Sequence, residues 1–162
     1  YKLLSLMELS KDKIELKKLN IKSFILKTCR RIILENIEIK VDLEDCIVKA
    51  DESLLEVVIR NLIQNAKKAE PKDLCIYITG KRRGNKYVIS IIDTGFGIPK
   101  EHINRVTEDF YMVDKSRSRK NGGTGIGLSL CKKILELHGS KINIESEENI
   151  GTKVYFELEV IK

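Results

Sequence analysis

Cysteine is scarce and scattered in this 162-residue chain. Cys29, Cys46, Cys75 and Cys131 form no C-x-x-C pair, which argues against a zinc site or a disulfide framework and for a reducing compartment. Proline is scarcer, two residues beside 10 glycines, and this excludes a collagen-like or linker chain. No stretch approaches the roughly 18 consecutive apolar residues of a membrane span. The first residues mix Leu with Lys, Ser and Glu, unlike a signal peptide. Internal repeats and low-complexity segments are missing too. What remains is 42% apolar and 33% charged, too apolar for disorder and long enough for one compact domain. Lys+Arg 30 against Asp+Glu 24 gives +6, a mild excess that suits nucleic acid, nucleotide or an acidic partner without choosing among them. The chain opens on Tyr1, not Met, and reads as a piece of a longer, cytosolic protein.

The apolar pattern predicts the elements. Leu3, Leu4, Leu6, Met7 and Leu9 read as the tail of an apolar helix, followed by a basic linker and a short strand near Ile14 and Leu16. Asn20 predicts the cap of a helix running to about Glu35. Residues 37–43 and 46–49 alternate at period two and predict a strand pair. Asp51 predicts a second helix running towards Ala69 and ended by Pro71. Residues 74–79 and 86–93 predict two strands turning at Gly84-Asn85. A long irregular stretch over 94–121 has the length of a lid. A third helix should open within 122–127, run to His138 and stop at Gly139. Residues 141–147 and 152–160 predict a closing hairpin, with Val154, Phe156, Leu158 and Val160 on one face. Three helices among strand pairs imply α+β, an α/β sandwich with helices layered on one face of a mixed, largely antiparallel sheet.

Three places carry chemistry. On the second helix, Asn61, Asn65 and Lys68 fall within a sector of about 60°, continuing the face of Leu54 and Val58. Such a stripe turns polar either because the helix end meets solvent or because it faces a ligand. A carboxamide oxygen suits a hard cation such as Mg²⁺, and a lysine suits phosphate. The string Asp93-Thr94-Gly95-Phe96-Gly97-Ile98-Pro99 follows an apolar strand. It reads as an Asp-initiated turn or as a carboxylate beside glycines that admit a ligand. Gly122-Gly123-Thr124-Gly125-Ile126-Gly127-Leu128 lies at a predicted helix N-terminus, where free N–H groups cradle phosphate. It is not a P-loop, for no G-K-[ST] follows, and not a Rossmann turn, for no strand precedes it.

In this order and spacing the three signals resemble the ATP-binding domain of sensor histidine kinases, of the superfamily shared with gyrase, MutL and heat-shock chaperones. Residues 61–68 resemble its N box, 93–99 its first glycine box and 122–128 its second. Residues 110–117 resemble the aromatic box of the lid, and His138-Gly139 and Gly151-Thr152 the closing motifs. The resemblance implies a Bergerat-type fold over 13–162, with a lid at about 94–121. It implies that 1–12 end a dimerising helical hairpin and its linker. It implies ATP and Mg²⁺ as cofactors, with Asn65 on the metal, Lys68 on phosphate and Asp93 accepting from the adenine amine. Gly95 and Gly97 would lie against the base, and Gly123, Thr124, Gly125 and Gly127 would surround the phosphates. Ile98, Phe110, Tyr111, Ile126, Leu128 and Thr152 would complete the nucleotide site. Asn61, Asn65 and Lys68 form the implied catalytic set. Three positions depart from the family's pattern: Ala69 and Thr107 where aromatics are usual, and Met112 where an Arg is usual. Lys115, Arg117 or Arg119 could supply that charge.

The implied activity is transfer of the γ-phosphoryl group of ATP to a histidine on a separate dimerisation domain, within two-component signalling through a response regulator. Neither His102 nor His138 stands mid-helix before an acidic residue, so the acceptor is expected elsewhere. The parent would be homodimeric and anchored in the cell membrane or cytosolic, and this fragment monomeric. The alternatives are an anti-sigma-type serine kinase or a nucleotide-binding module without catalysis. Serine-phosphorylating and ATP-hydrolysing relatives carry Glu where Asn61 stands, and an amide is no base. The basic run 115–120 lacks interleaved aromatics, which disfavours nucleic acid.

Overall fold

The computed structural model describes residues 13–32, 38–68, 75–108 and 127–161. Its elements are β1 (Lys17–Asn20), α1 (Ile21–Arg31), β2 (Glu38–Leu43), β3 (Ile47–Ala50), α2 (Glu52–Lys68), β4 (Cys75–Arg83), β5 (Lys86–Asp93), α3 (Gly127–Leu137), β6 (Asn143–Glu147) and β7 (Gly151–Glu159). A 3-10 turn, Lys100–His102, follows Pro99. The main sheet has the order β2-β4-β5-β7-β6, and β1 pairs with β3 in a two-stranded ribbon. Among the described strands, only β2 and β4 run parallel; the other pairs are antiparallel.

The helices cover one face of this sheet. Along β5, Tyr87, Ile89 and Ile91 are buried at alternate positions, and β4 adds Ile76 and Ile78 and β7 adds Phe156 and Leu158. Against that face lie Ile21, Phe24 and Ile25 of α1, Leu55, Val58, Ile59, Leu62 and Ile63 of α2, and Leu130, Ile134 and Leu135 of α3. Both strands and helices therefore obey their own periods, 2 and 3.6, towards one shared core. The opposite face is thinly covered by lysine stems: Lys40 lies 5.7 Å over the Tyr77 ring and Lys153 lies 5.0 Å over Tyr155. These contacts shield aromatic surface while each ammonium stays in water.

The helix starts follow the predicted caps. Asn20 Oδ1 accepts from the Ser23 N–H at 3.0 Å, and Asp51 Oδ1 accepts from the Leu54 N–H at 3.2 Å. The α3 terminus follows prediction as well. The Ser140 N–H reaches back to the Leu135 carbonyl at 2.8 Å and the Gly139 N–H to that of Glu136 at 3.0 Å. Gly139 holds φ +73°, the left-handed cap that glycine tolerates best. His138 then ties two elements together: its Nε2 accepts from the Asp51 N–H at 3.0 Å and its Nδ1–H donates to the Ile134 carbonyl at 2.8 Å.

Two expectations fail. The predicted pair 37–43 with 46–49 does not exist: β2 pairs in parallel with β4, and β3 pairs with β1. Alternation fixes which face a strand buries, not its neighbour. Here the Glu44 N–H bonds the Gly80 carbonyl and the Ile21 N–H bonds the Cys46 carbonyl, so the chain leaves the main sheet between the two strands. The first helix also stops at Arg31 instead of near Glu35, since Ile32 is extended at φ −94°, ψ 111°. The β-branched Ile32 prefers that region. The predicted helix tail at 1–10, the Pro71 stop and the lid beyond residue 108 lie outside the described residues. Among the described helices, none is long and apolar enough to cross a membrane.

Candidate nucleotide-binding site

The inner row of β5, Tyr87-Ile89-Ile91, ends in Asp93. Period two thus turns a carboxylate towards the helical layer, where it is 8% exposed. Its Oδ1 accepts from the Gly95 N–H at 2.9 Å. Burial pushes the carboxyl up to about 6, partly offset by the backbone N–H groups of Gly95 and Thr152. Among the described residues, backbone donors hold this buried carboxylate, and a buried group with so perturbed a proton affinity marks a candidate ligand site. Thr94 closes the strand: its N–H donates to the Cys75 carbonyl at 3.2 Å, and its Oγ1 accepts from the Cys75 N–H at 3.0 Å. Beyond it the chain folds against the β6–β7 hairpin. Gly97 has φ +72°, and a Cβ there would come within 2.2 Å of the Glu147 carbonyl oxygen. Both facts require glycine at this position.

The second part of the site is where α3 meets α2. A Cβ on Gly127 would lie 3.4 Å from Asn61 Oδ1 and 3.8 Å from Asn65 Oδ1. The first residue of α3 therefore rests on the two carboxamides. Asn61 Nδ2 donates to the Val57 carbonyl at 2.9 Å, which leaves its oxygen towards Gly127. The side chain of half-buried Asn65 makes no hydrogen bond among the described residues. Deeper along the same seam, the Cys131 thiol meets the Val58 carbonyl at 3.8 Å. The stripe begun by Leu54 and Val58 is thus apolar where the helices pack and polar where α3 begins. A helix N-terminus, whose first-turn N–H groups lack intrahelical acceptors, with carboxamide oxygens beside it suits an anion with its counter-cation.

These observations bring together Asn61, Asn65 and Gly127 on the helices, and Asp93, Gly95, Gly97, Ile98 and Thr152 on the strand-end loops. α2 packs on β5, the strand that ends in Asp93. Leu128 packs against the core edge. Lys68 ends α2. Ala69, Phe110, Tyr111, Met112, Lys115, Arg117, Arg119, Gly123, Thr124, Gly125 and Ile126 lie outside the described residues. Thr107 follows buried Val106 and is half-buried. Sequence reasoning passed over Ser146. Its Oγ accepts from the Ile98 N–H at 2.7 Å and lies 2.9 Å from the Gly151 carbonyl and 2.8 Å from Thr152 Oγ1.

Residues 50–162 match the family of histidine kinase-, DNA gyrase B- and HSP90-like ATPases. The chain belongs to that family. Sensor histidine kinase YkoH of Bacillus subtilis is 37% identical over 130 residues, which cover 80% of this chain and 28% of YkoH. The catalytic domain of histidine kinase ThkA superposes with a TM-score of 0.76 at 31% identity, covering 90% of this chain and 96% of that one. ThkA solved in complex with the response regulator protein TrrA matches with a TM-score of 0.75 at 27% identity, over 99% of this chain and 48% of that one. This ATPase-family chain therefore spans nearly a whole histidine kinase catalytic domain and little more than a quarter of a curated sensor kinase. The family assignment accounts for the helix-on-sheet layering and for the pairing of an asparagine-bearing helix with a glycine-preceded one.

Proposed function

We propose that this domain binds Mg²⁺-ATP between α2, α3 and the end of β5 and donates the γ-phosphoryl group to a histidine on a separate dimerisation domain. The observation that carries the reading is the seating of Gly127, first residue of α3, on the Asn61 and Asn65 carboxamides. The donor set fits the metal: Asn65 offers a hard oxygen that is uncommitted among the described residues, and Mg²⁺ demands oxygen ligands. Held there, Mg²⁺ would neutralise charge on the phosphates. Lys68, one turn further, would pair with phosphate, and the N–H groups opening α3 would donate to its oxygens. Asp93, ionised, would accept from the adenine amine, and a carbonyl in that place, as in guanine, would meet a second acceptor.

Asn61 disfavours activation of water or serine. Its amide is committed as a donor to Val57 and has no lone-pair nitrogen to take a proton. A neutral imidazole is already a nucleophile. What this domain contributes is position: it holds the donor so that the acceptor nitrogen forms its bond to phosphorus as the bridging bond to ADP breaks. The ThkA–TrrA complex supports a response regulator as the downstream partner, and the coverage of YkoH supports a larger parent.

Isothermal calorimetry tests the reading. ATP should bind, and more tightly with Mg²⁺ than with EDTA. No nucleotide binding in either buffer would overturn it; equal affinity in both would remove the metal role from Asn65.

A further inference from the structure

The polar end of the sheet's inner face is a row that crosses three strands. Asp93 of β5 stands opposite Thr152 of β7, and Thr152 stands opposite Ser146 of β6. Ser146 is the hub of this row. Its oxygen accepts from the Ile98 N–H at 2.7 Å, in the loop that follows Asp93. Its single proton goes to the Gly151 carbonyl at 2.9 Å, so the Thr152 hydroxyl, 2.8 Å away, is the donor of the pair. The neighbouring turn holds the same loop at two more points. The Asn149 N–H donates to the Phe96 carbonyl, with Asn149 at φ +67°. Gly97 lies so close to the Glu147 carbonyl that no Cβ would fit. On the other side, a Cβ on Gly151 would meet the Asp93 carbonyl at 2.0 Å.

The hairpin tip is therefore a clasp closed over residues 95–98. That loop carries no helix or strand of its own, and its backbone reaches Asp93 directly through the Gly95 N–H. From this arrangement, and resting on the nucleotide reading above, we propose that Ser146 is a positioning residue for the base-binding end of the site. It fixes the loop against Asp93 and Thr152 and so sets how well the domain tells adenine from guanine. Ser146 acts through Ile98 and Thr152; it need not touch the nucleotide itself. A phosphate chain bound at α2 and α3 lies outside its reach, and this separates the proposal from general damage to the fold.

The test uses the 162-residue chain with Ser146→Ala and Ser146→Thr, ATP, GTP and inorganic tripolyphosphate as ligands, and hydrogen exchange without ligand. Ser146→Ala should bind ATP about tenfold more weakly, the effect of orphaning one N–H and one hydroxyl. The ratio of ATP to GTP affinity should narrow, while tripolyphosphate binds as to the unmodified chain. Ser146→Thr, which keeps the hydroxyl, should recover most of the loss. In the free protein, exchange of the Ile98 amide should speed up in Ser146→Ala alone. Unchanged ATP affinity in Ser146→Ala, or equal losses for ATP and tripolyphosphate with a lowered Tm, would overturn the proposal. Absence of ATP binding by the unmodified chain would overturn the nucleotide reading and the base-positioning role together. Exchange at Ile98 would then still show whether the clasp exists, which keeps the two failures distinguishable.

Discussion

Asp93 carries two consequences of opposite sign from one cause. Burial raises its carboxyl from the usual 3.8 to about 6, so the folded chain holds that proton more tightly than the unfolded one. The contribution to stability is complete below the ordinary value and is lost as pH rises through about 6; at neutral pH the ionised group costs the fold up to about 3 kcal/mol. Asp93→Asn keeps an oxygen for the Gly95 N–H and removes that cost, so urea unfolding at pH 7.5 should show equal or greater stability. The same variant should bind ATP about tenfold to hundredfold more weakly, because the amide can turn a donor towards the adenine amine. In the unmodified domain, ATP affinity should fall about tenfold between pH 7.5 and 5 as the carboxylate takes its proton. Loss of stability in Asp93→Asn would refute the burial cost, and a pH-independent affinity would remove Asp93 from base recognition. The residue itself was legible from its place after an apolar strand and before two glycines. Ser146 was not, because a serine within a strand says nothing until the register sets it beside Thr152 and a loop from elsewhere crosses it.

Elements depend on one another through His138. With Nδ1–H on Ile134 and Nε2 accepting from the Asp51 N–H, the end of α3 clamps the start of α2. Protonation would set an N–H against an N–H. Desolvation by burial lowers the imidazole below its usual 6.5, with the Ile134 carbonyl and the Asp51 carboxylate offsetting part of it. A base with a lowered folded-state value gives stability that is complete above 6.5 and shrinks as pH falls towards that lowered value. His138→Ala should therefore cost about 1–2 kcal/mol at pH 7.5, where it orphans the Asp51 N–H. The difference from the unmodified chain should narrow at pH 5; a constant difference, measured by urea unfolding, would refute the clamp. The helix caps and the Gly139 stop were readable in advance because each is a local matter of one side chain or one φ. The strand pairing was not. Residues 38–43 alternate as any half-buried strand does, and the parallel partner β4 arrives only after β3 and α2 have been crossed. Parallel neighbours need such a crossover, and alternation carries no trace of it.

At the scale of the whole molecule, the proposed donor site has in His102 and His138 no acceptor of suitable surroundings: the His102 N–H closes a 3-10 turn on Pro99, and His138 spends both ring nitrogens on the fold. Incubated alone with labelled ATP, the chain should gain no phosphohistidine and hydrolyse ATP slowly, given the committed amide of Asn61. Mixed with a separate helical hairpin bearing the acceptor histidine, it should pass label to that hairpin, weakly, since separation forfeits an effective concentration of about the millimolar range. Acid-labile label on this chain alone would contradict the placement of the acceptor elsewhere. Acid-stable phosphoserine on an added partner would favour the serine-kinase reading.

The strand order β2-β4-β5-β7-β6 has a further consequence for how the molecule is made. β7 is last in sequence yet interior in space, bonded to β5 on one side and β6 on the other; just beyond it, Val160 bridges to Val48 of the small ribbon. While a ribosome is still translating the region between β5 and α3, β5 presents an open apolar edge with no neighbour to cover it. Such an edge invites pairing with another chain. The sheet can close only after residue 160 has cleared the exit tunnel, so Asp93 of β5 and Thr152 of β7 come together late. Slow, non-local closure of this kind exposes the nascent domain to aggregation for as long as its final strand is outstanding.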